Sequence, residues 1–157
     1  MKEEKVLVLC LAGGVLILFL VVTVMLFLKQ TWYYPYRART ILTKREYQFY
    51  LLLQREAARR GLLICPKVGL KDLMEVTSRR NYMKYFHKIA QKHVDFVVCD
   101  RELRVLFAVE LDDGSHDNGS ARKRDQFKNR AFKAAKISLK RIRNYDEASV
   151  RELFRGL

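Results

Sequence analysis

The sequence has little that would tie it to an oxidising compartment or divide it into several domains. It has only three cysteines in 157 residues, and their spacing fits neither a disulfide framework nor a metal motif, which favours a reducing compartment. Glycine and proline are also scarce, at seven and two residues. Because there is no internal repeat and no long Gly-, Pro- or Ser-rich linker, residues 32–157 are expected to form one domain.

Acidic residues are few relative to basic ones. The chain has 17 Asp and Glu against 31 Lys and Arg, a formal net charge of +14. All but three of the basic residues (Lys2, Lys5 and Lys29) lie in residues 32–157. Such an excess favours polyanionic partners, such as nucleic acid, or an anionic membrane surface.

Charge is absent from residues 6–28, which are almost entirely apolar. This run is long enough to cross a hydrocarbon core of about 30 Å, and longer than the apolar part of most cleaved signal peptides. Residues 1–31 are therefore predicted to be a single transmembrane anchor. Trp32, Tyr33, Tyr34 and Tyr36 follow at the expected headgroup level. More basic residues follow the run than precede it, so the positive-inside rule predicts a cytoplasmic C-terminal domain.

The soluble part has the pattern of an α/β domain. Thr43 and Glu46 have the spacing of a capping box that begins a helix. The expected elements are a helix from 44 to about 60, an edge strand over 62–70, a helical or irregular crossover over 72–90, a hairpin of central strands over 94–100 and 104–112, a helix over 121–135, a strand over 137–142 and a short last helix. This order predicts a mixed sheet flanked by helices. The helix over 121–135 is expected to bury Phe127, Ala131 and Ala134.

Two carboxylates are predicted to face each other across the hairpin. If Asp100 and Val105 pair at its mouth, counting back along antiparallel strands places Asp95 opposite Glu110, with Cβ atoms about 5 Å apart. Two carboxylates in otherwise apolar strands are costly to desolvate unless one is protonated or a cation lies between them. A hard ion such as Mg²⁺ would meet that need.

The hairpin and the helix after it resemble a known family. Asp112 continues the face of Glu110, and His116 follows in the same segment, VELDDGSH. Together with KHVDFVVCD before it and RKRDQFKNRAFKAAKISLKRI after it, this segment resembles the bacterial family called domain of unknown function 2726, over roughly residues 35–145. That family is similar to the PD-(D/E)xK endonuclease-like superfamily, and within it to the very-short-patch repair endonucleases.

The resemblance implies a restriction-endonuclease-like fold and a metal-dependent phosphodiesterase, here at the bacterial inner membrane. By position, Asp95 and Glu110 would hold Mg²⁺ or Mn²⁺, and Glu46, the acid of the first helix of the domain, would be a further metal ligand. The metal would polarise the scissile phosphate and activate a water. His116 would act as general base or assist the leaving oxygen.

The superfamily's lysine, two residues after the glutamate, is replaced here by Asp112. Lys123 and Lys128 on the next helix are the candidate replacements that would stabilise developing negative charge. Lys128 has a simpler alternative role, a surface ion pair with Asp125. Contacts to the phosphate backbone are expected from the basic residues of this helix: Arg122, Lys123, Lys128, Arg130 and Lys133.

Structural alternatives exist for the other site residues as well. The capping box alone explains Glu46, a loop hydrogen bond would explain Asp95, a helix arginine would explain Glu110, and His116 could cap the next helix. The missing lysine favours a non-catalytic module of the same fold that binds nucleic acid or anionic lipid. A third possibility is a membrane assembly factor whose basic residues bind headgroups alone.

Overall fold

The computed structural model describes residues 2–32, 34–112 and 119–157, and of residues 31, 32 and 119–124 only the backbone. The chain divides into two compact units, residues 1–39 and 40–157. The first unit carries the apolar helix, and the second contains the sheet and its flanking helices.

Helix α1, Lys2–Trp32, forms most of the first unit. Residues Lys2–Gln30 are long and apolar enough to cross a membrane, with a mean hydropathy that reaches 3.0 and no buried residue in that stretch. Thr23 satisfies its hydroxyl within the helix, because Oγ1 donates to the Phe19 carbonyl at 2.7 Å. A single apolar helix near the N-terminus is typical of both a membrane span and a signal sequence.

Helix α2, Lys44–Ala58, opens the second unit with the predicted capping box. The Glu46 amide donates to Thr43 Oγ1, and Glu46 Oε2 accepts from the Thr43 amide at 2.8 Å. These two bonds satisfy amides that have no partner inside the helix. The helix ends just before Gly61, whose positive φ of 68° suits a residue without a Cβ. The expected start and end of this helix are confirmed.

Four strands form one mixed sheet in the described part of the chain: β1 Leu63–Gly69, β2 His93–Cys99, β3 Val105–Leu111 and β4 Ser138–Ile142. Their spatial order is β1-β2-β3-β4; the first two pairs are antiparallel, and β3 and β4 run parallel. The hairpin, the edge position of the strand that contains Pro66, and the mixed character of the sheet are as predicted.

Four further helices flank the sheet in the described residues: α3 Leu70–Leu73, α4 Tyr82–Ala90, α5 Gly119–Ala134 and α6 Glu147–Glu152. The expected crossover after β1 is therefore two short helices, α3 and α4. Alternate side chains of strands β2 and β3 lie on opposite faces of the sheet and belong to two core clusters. Phe96, Val98, Phe107 and Val109 pack with α2 and α6, whereas Val97, Cys99 and Ala108 pack with α3, α4 and α5. The prediction that both faces of these strands are covered is confirmed.

The buried face of α5 differs from the prediction. Phe132 is its fully buried residue, with Phe127 half-buried beside it, whereas Ala134 is exposed. The large ring removes far more apolar area from water than an alanine methyl, so it decides which side of the helix packs. With this face buried, Lys128, one turn before Phe132, lies against the sheet.

Candidate functional site

The predicted register of the hairpin holds along its central part. Phe96 pairs with Val109 and Val97 with Ala108, so the next position places Asp95 opposite Glu110. The mouth of the hairpin differs from the prediction. Val105 pairs with Cys99 rather than Asp100, because an irregularity between Val98 and Cys99 shifts the register by one residue.

Asp95 joins three strands through its side chain. Its Oδ2 accepts a hydrogen bond from the Leu111 amide of β3 at 3.0 Å. Its Oδ1 lies 2.7 Å from Lys67 Nζ on β1. The carboxylate therefore has a partner on each neighbouring strand, which offsets the cost of its partial burial.

Lys67 is a site residue that the sequence analysis missed. It lies in β1 at the position facing Asp95, with a positive φ of 54° that is unusual for a residue with a side chain. Its Nζ also contacts Glu46 Oε1 at 2.5 Å, so one ammonium bridges helix α2 and the sheet. Counting across the β1–β2 ladder from Pro66 and Phe96 would have found it, once that pairing was known.

The shared ion pair keeps both kinds of group charged. Burial raises the pKa of Glu46, but hydrogen bonds from Lys67 and Thr43 outweigh burial and leave that pKa below its ordinary value. Burial lowers the pKa of Lys67, but its bonds to Asp95 and Glu46 outweigh that effect and leave the pKa raised. Both shifts favour the charged forms of Glu46 and Lys67 and therefore stabilise the ion pair between them.

Glu110 is buried and is neutralised by cations from two other elements. Lys128 of α5 pairs with its Oε1, and Arg141 of β4 lies 3.2 Å from its Oε2. Arg141 also reaches Asp125 at 3.3 Å. The expected alternative, a pair between Asp125 and Lys128, is not what the helix forms: Lys128 contacts Glu110, and Asp125 contacts Arg141.

A polar, open pocket of about 180 Å³ lies between these groups. It is lined by carboxylates and by two of the cations: Asp95, Glu110, Asp112, Asp125, Lys128 and Arg141. Asp112 shares the strand end with Glu110 as predicted, and its Oδ2 lies 3.4 Å from Arg143. The pocket can therefore accept an anionic group at its cations or a hard cation at its carboxylates.

Among the other predicted site residues, those whose side chains the structure describes do not line this pocket. His116 lies outside the described residues, as do the side chains of Arg122 and Lys123. Arg130 and Lys133 are exposed on α5. Glu46 does not line the pocket, and its link to the site is through Lys67.

A metal ion in this pocket would have to bind one or two carboxylates, because no larger group of ligands is found among the described residues. In the parts of the chain that the structure describes, no three His, Cys, Asp or Glu side chains come together in a group that could hold a metal. Mg²⁺ is often held by only one or two carboxylates, with waters and substrate phosphates completing its shell. Asp95 and Glu110, which line one polar pocket, supply ligands of that kind.

Fold and site together define a basic α/β domain with an acidic pocket beside its central strands, in a chain that also carries a candidate membrane-spanning helix. The chain belongs to the family DUF2726, described as a protein of unknown function, whose model matches residues 38–157. No curated protein and no solved structure matches the chain significantly.

Proposed function

We propose that this chain is a membrane-anchored, metal-dependent nuclease-like protein that hydrolyses phosphodiester bonds in DNA. The observation that carries the proposal is the position of Asp95 and Glu110, side by side on the two central strands and lining one pocket with Lys128 and Arg141. Carboxylates and cations that share an open pocket are the groups that metal-assisted phosphoryl chemistry needs.

The resemblance of the hairpin to the PD-(D/E)xK superfamily supports the same proposal. In that superfamily, the site carboxylates lie on a strand pair of a mixed sheet, as Asp95 and Glu110 do here. The superfamily's lysine is absent at position 112, where this chain has aspartate. Lys128 of α5 contacts Glu110, which supports Lys128 as the candidate replacement for that lysine.

The proposed mechanism assigns a task to each group. Asp95 and Glu110 would hold Mg²⁺ or Mn²⁺, and the bound ion would polarise the phosphate and lower the pKa of a water. Lys128 and Arg141 bind phosphate oxygens and stabilise the negative charge that develops on them. Lys67 stays with Asp95 and Glu46 and orients the aspartate. The remaining basic side chains bind the nucleic-acid backbone without reading its sequence.

The proposal places the domain on the cytoplasmic side of a bacterial inner membrane, with α1 crossing the bilayer once. Its support is the apolar length of α1, the aromatic residues that follow it and the excess of basic residues after it. Resistance of the full chain to alkaline extraction from membranes, at unchanged mass, is the expected result. A mass reduced by the loss of α1 would show a cleaved signal sequence instead.

The decisive test is DNA cleavage by the full chain in detergent. Plasmid and single-stranded DNA are incubated with Mg²⁺ or Mn²⁺ and with the wild type, Asp95→Asn, Glu110→Gln or the control Glu152→Gln. Glu152 is exposed on α6, and its ion-pair partner among the described residues is Arg155. We expect metal-dependent cutting by wild type and control and none by the two site variants. Cutting that persists in the site variants would identify a contaminant and remove the support for the proposal.

One observation favours a second candidate, a non-catalytic module of the same fold that binds nucleic acid. Each strand carboxylate already has a cation from the protein, Lys67 for Asp95, and Lys128 with Arg141 for Glu110. A pocket neutralised in this way needs no metal for stability. Intact DNA whose mobility still shifts with the wild-type chain would establish this candidate.

A further inference from the structure

Helix α4 and the turn before it present a basic and apolar surface that the pocket does not use. We define the α4 surface as Arg79, Arg80, Met83, Lys84, Tyr85 and Lys88, all of which are exposed. No acidic residue occurs between Glu75 and Asp95 in the sequence. The α4 surface is therefore positive along its whole length.

The cations of the α4 surface have no acidic partner in the part of the chain that the structure describes. Arg79, Arg80 and Lys84 form no ion pair with any residue that the structure describes. For Lys88, the side-chain contact within the described residues is with a ring: its Nζ lies 5.4 Å from the centre of Tyr85. By contrast, the cations around Asp95 and Glu110 are all paired. Unpaired cations gathered on one surface favour an anionic partner.

Helix α4 carries more apolar side chains than the domain buries. Ile89 is buried and Phe86 is half-buried, stacked on Tyr82 with ring centres 5.6 Å apart. Met83 and Tyr85, on either side of them, remain 56% and 44% exposed. A short basic helix that exposes large apolar and aromatic side chains has the composition of helices that lie in a membrane interface.

We infer that the α4 surface docks on an anionic lipid bilayer, with its cations at the headgroup phosphates and Met83 and Tyr85 in the interface. This inference rests on the membrane anchor proposed above. The eleven residues between α1 and α2 can reach roughly 40 Å at most, whereas a domain of this size has a radius of gyration of about 13 Å. The tether therefore allows this surface to reach the bilayer that holds α1. Docking would keep the domain at the membrane surface and fix which side faces the cytoplasm.

The test places a fluorescent reporter on α4 in the full chain. Trp32 is the only tryptophan, so Trp32→Phe with Met83→Trp leaves one indole on the α4 surface. The protein is reconstituted into vesicles of phosphatidylcholine, with or without phosphatidylglycerol, that contain brominated lipid as quencher. We expect strong quenching only with phosphatidylglycerol, and its loss in 1 M salt, where the Debye length falls to about 3 Å.

Matched charge reversals distinguish an effect of the α4 surface from an effect of the net charge of the whole domain. In the chain that carries Trp32→Phe and Met83→Trp, the additional pair Lys84→Glu and Lys88→Glu should abolish the quenching. The control, Arg130→Glu with Lys133→Glu, makes the same change in net charge at exposed positions of α5 and should leave the quenching intact. Both pairs are exposed, so unfolding curves should match those of the parent chain.

Three outcomes would overturn the inference. Quenching that is equal in neutral and anionic vesicles, absent in both, or reduced equally by both reversals would show that the α4 surface does not recognise anionic lipid. If the tryptophan fluorescence is not quenched by lipid but changes when single-stranded oligonucleotide is added, the α4 surface binds nucleic acid instead. Flotation of the vesicles reports separately whether the chain is anchored, so failure of α1 and failure of the α4 surface are distinguishable.

Discussion

Lys67 Nζ lies 2.7 Å from Asp95 Oδ1, across the ladder that joins the edge strand to the first strand of the hairpin. The sequence predicted that Asp95 and Glu110 need a cation between them or a proton on one of them, and the structure shows that Asp95 pairs with a cation of the protein itself. Because the same ammonium also contacts Glu46, removing it would leave two carboxylates that share one small region without a neutralising charge. A divalent ion at Asp95 therefore has to compete with Lys67 or add to it.

Replacement of Lys67 by methionine tests that competition. Lys67→Met should lower the free energy of unfolding by about 1–3 kcal/mol, because charged hydrogen-bond partners lose their donor. Mn²⁺ or Mg²⁺ should then raise the melting temperature of the variant more than that of the wild type, since the ion binds a site that the lysine has left. Thermal unfolding of the full chain in detergent, with and without metal, gives both quantities.

The control for that experiment is Lys71→Met, which removes an exposed lysine from α3. Its stability and its response to metal should match those of the wild type. If Mn²⁺ stabilises all three proteins equally, the ion binds elsewhere and Lys67 does not compete with it.

Glu46→Gln separates the contribution of the Glu46–Lys67 ion pair to stability from the contribution of the helix cap. Glutamine also serves in a capping box, so the variant keeps the helix start and loses only the ion pair with Lys67. The pKa of Glu46 is lowered in the folded state, so its contribution is present above its ordinary pKa of 4.5 and is lost as the pH falls through the folded value. We expect the wild type to be more stable by about 1–2 kcal/mol at neutral pH and the difference to disappear on acidification.

Urea unfolding at a series of pH values measures this difference, and Leu53→Ala is the control. That variant removes a buried apolar side chain from the same helix, so its loss of stability should be nearly the same at every pH. A pH-independent difference between wild type and Glu46→Gln would mean that the ion pair with Lys67 contributes nothing.

Lys128 carries the prediction that separates the nuclease from the binding module. Lys128→Met should reduce DNA cleavage by about 100-fold or more, the typical effect of removing one group that stabilises transition-state charge. Lys133→Met removes a charge from an exposed position of the same helix, where it is expected only to bind the DNA backbone, so this variant should bind DNA more weakly but retain the wild-type rate at saturating DNA. Equal rates for the two variants would exclude Lys128 as the replacement for the superfamily's lysine.

The elements that the sequence predicted correctly have local signals. The capping box fixed the start of α2, and the two apolar runs fixed the hairpin and the position of Asp95 opposite Glu110. Lys67 and Arg141 could not be placed in this way. Their positions depend on how β1 pairs with β2 and how β4 pairs in parallel with β3, and both pairings join segments far apart in the sequence. The positive φ of Lys67 also has no glycine to signal it.

The face that α5 buries is the remaining structural prediction to test, because it decides whether Lys128 reaches Glu110. Phe132 is 1% exposed, so Phe132→Ala should lower the free energy of unfolding by about 3–5 kcal/mol through lost burial and the cavity it leaves. Ala134→Lys, at an exposed position, should change it by no more than about 0.5 kcal/mol. Chemical unfolding of both variants gives the comparison. The opposite order of effects would restore the face that contains Ala134, would turn Lys128 away from the sheet, and would leave Arg141 as the only described cation beside Glu110.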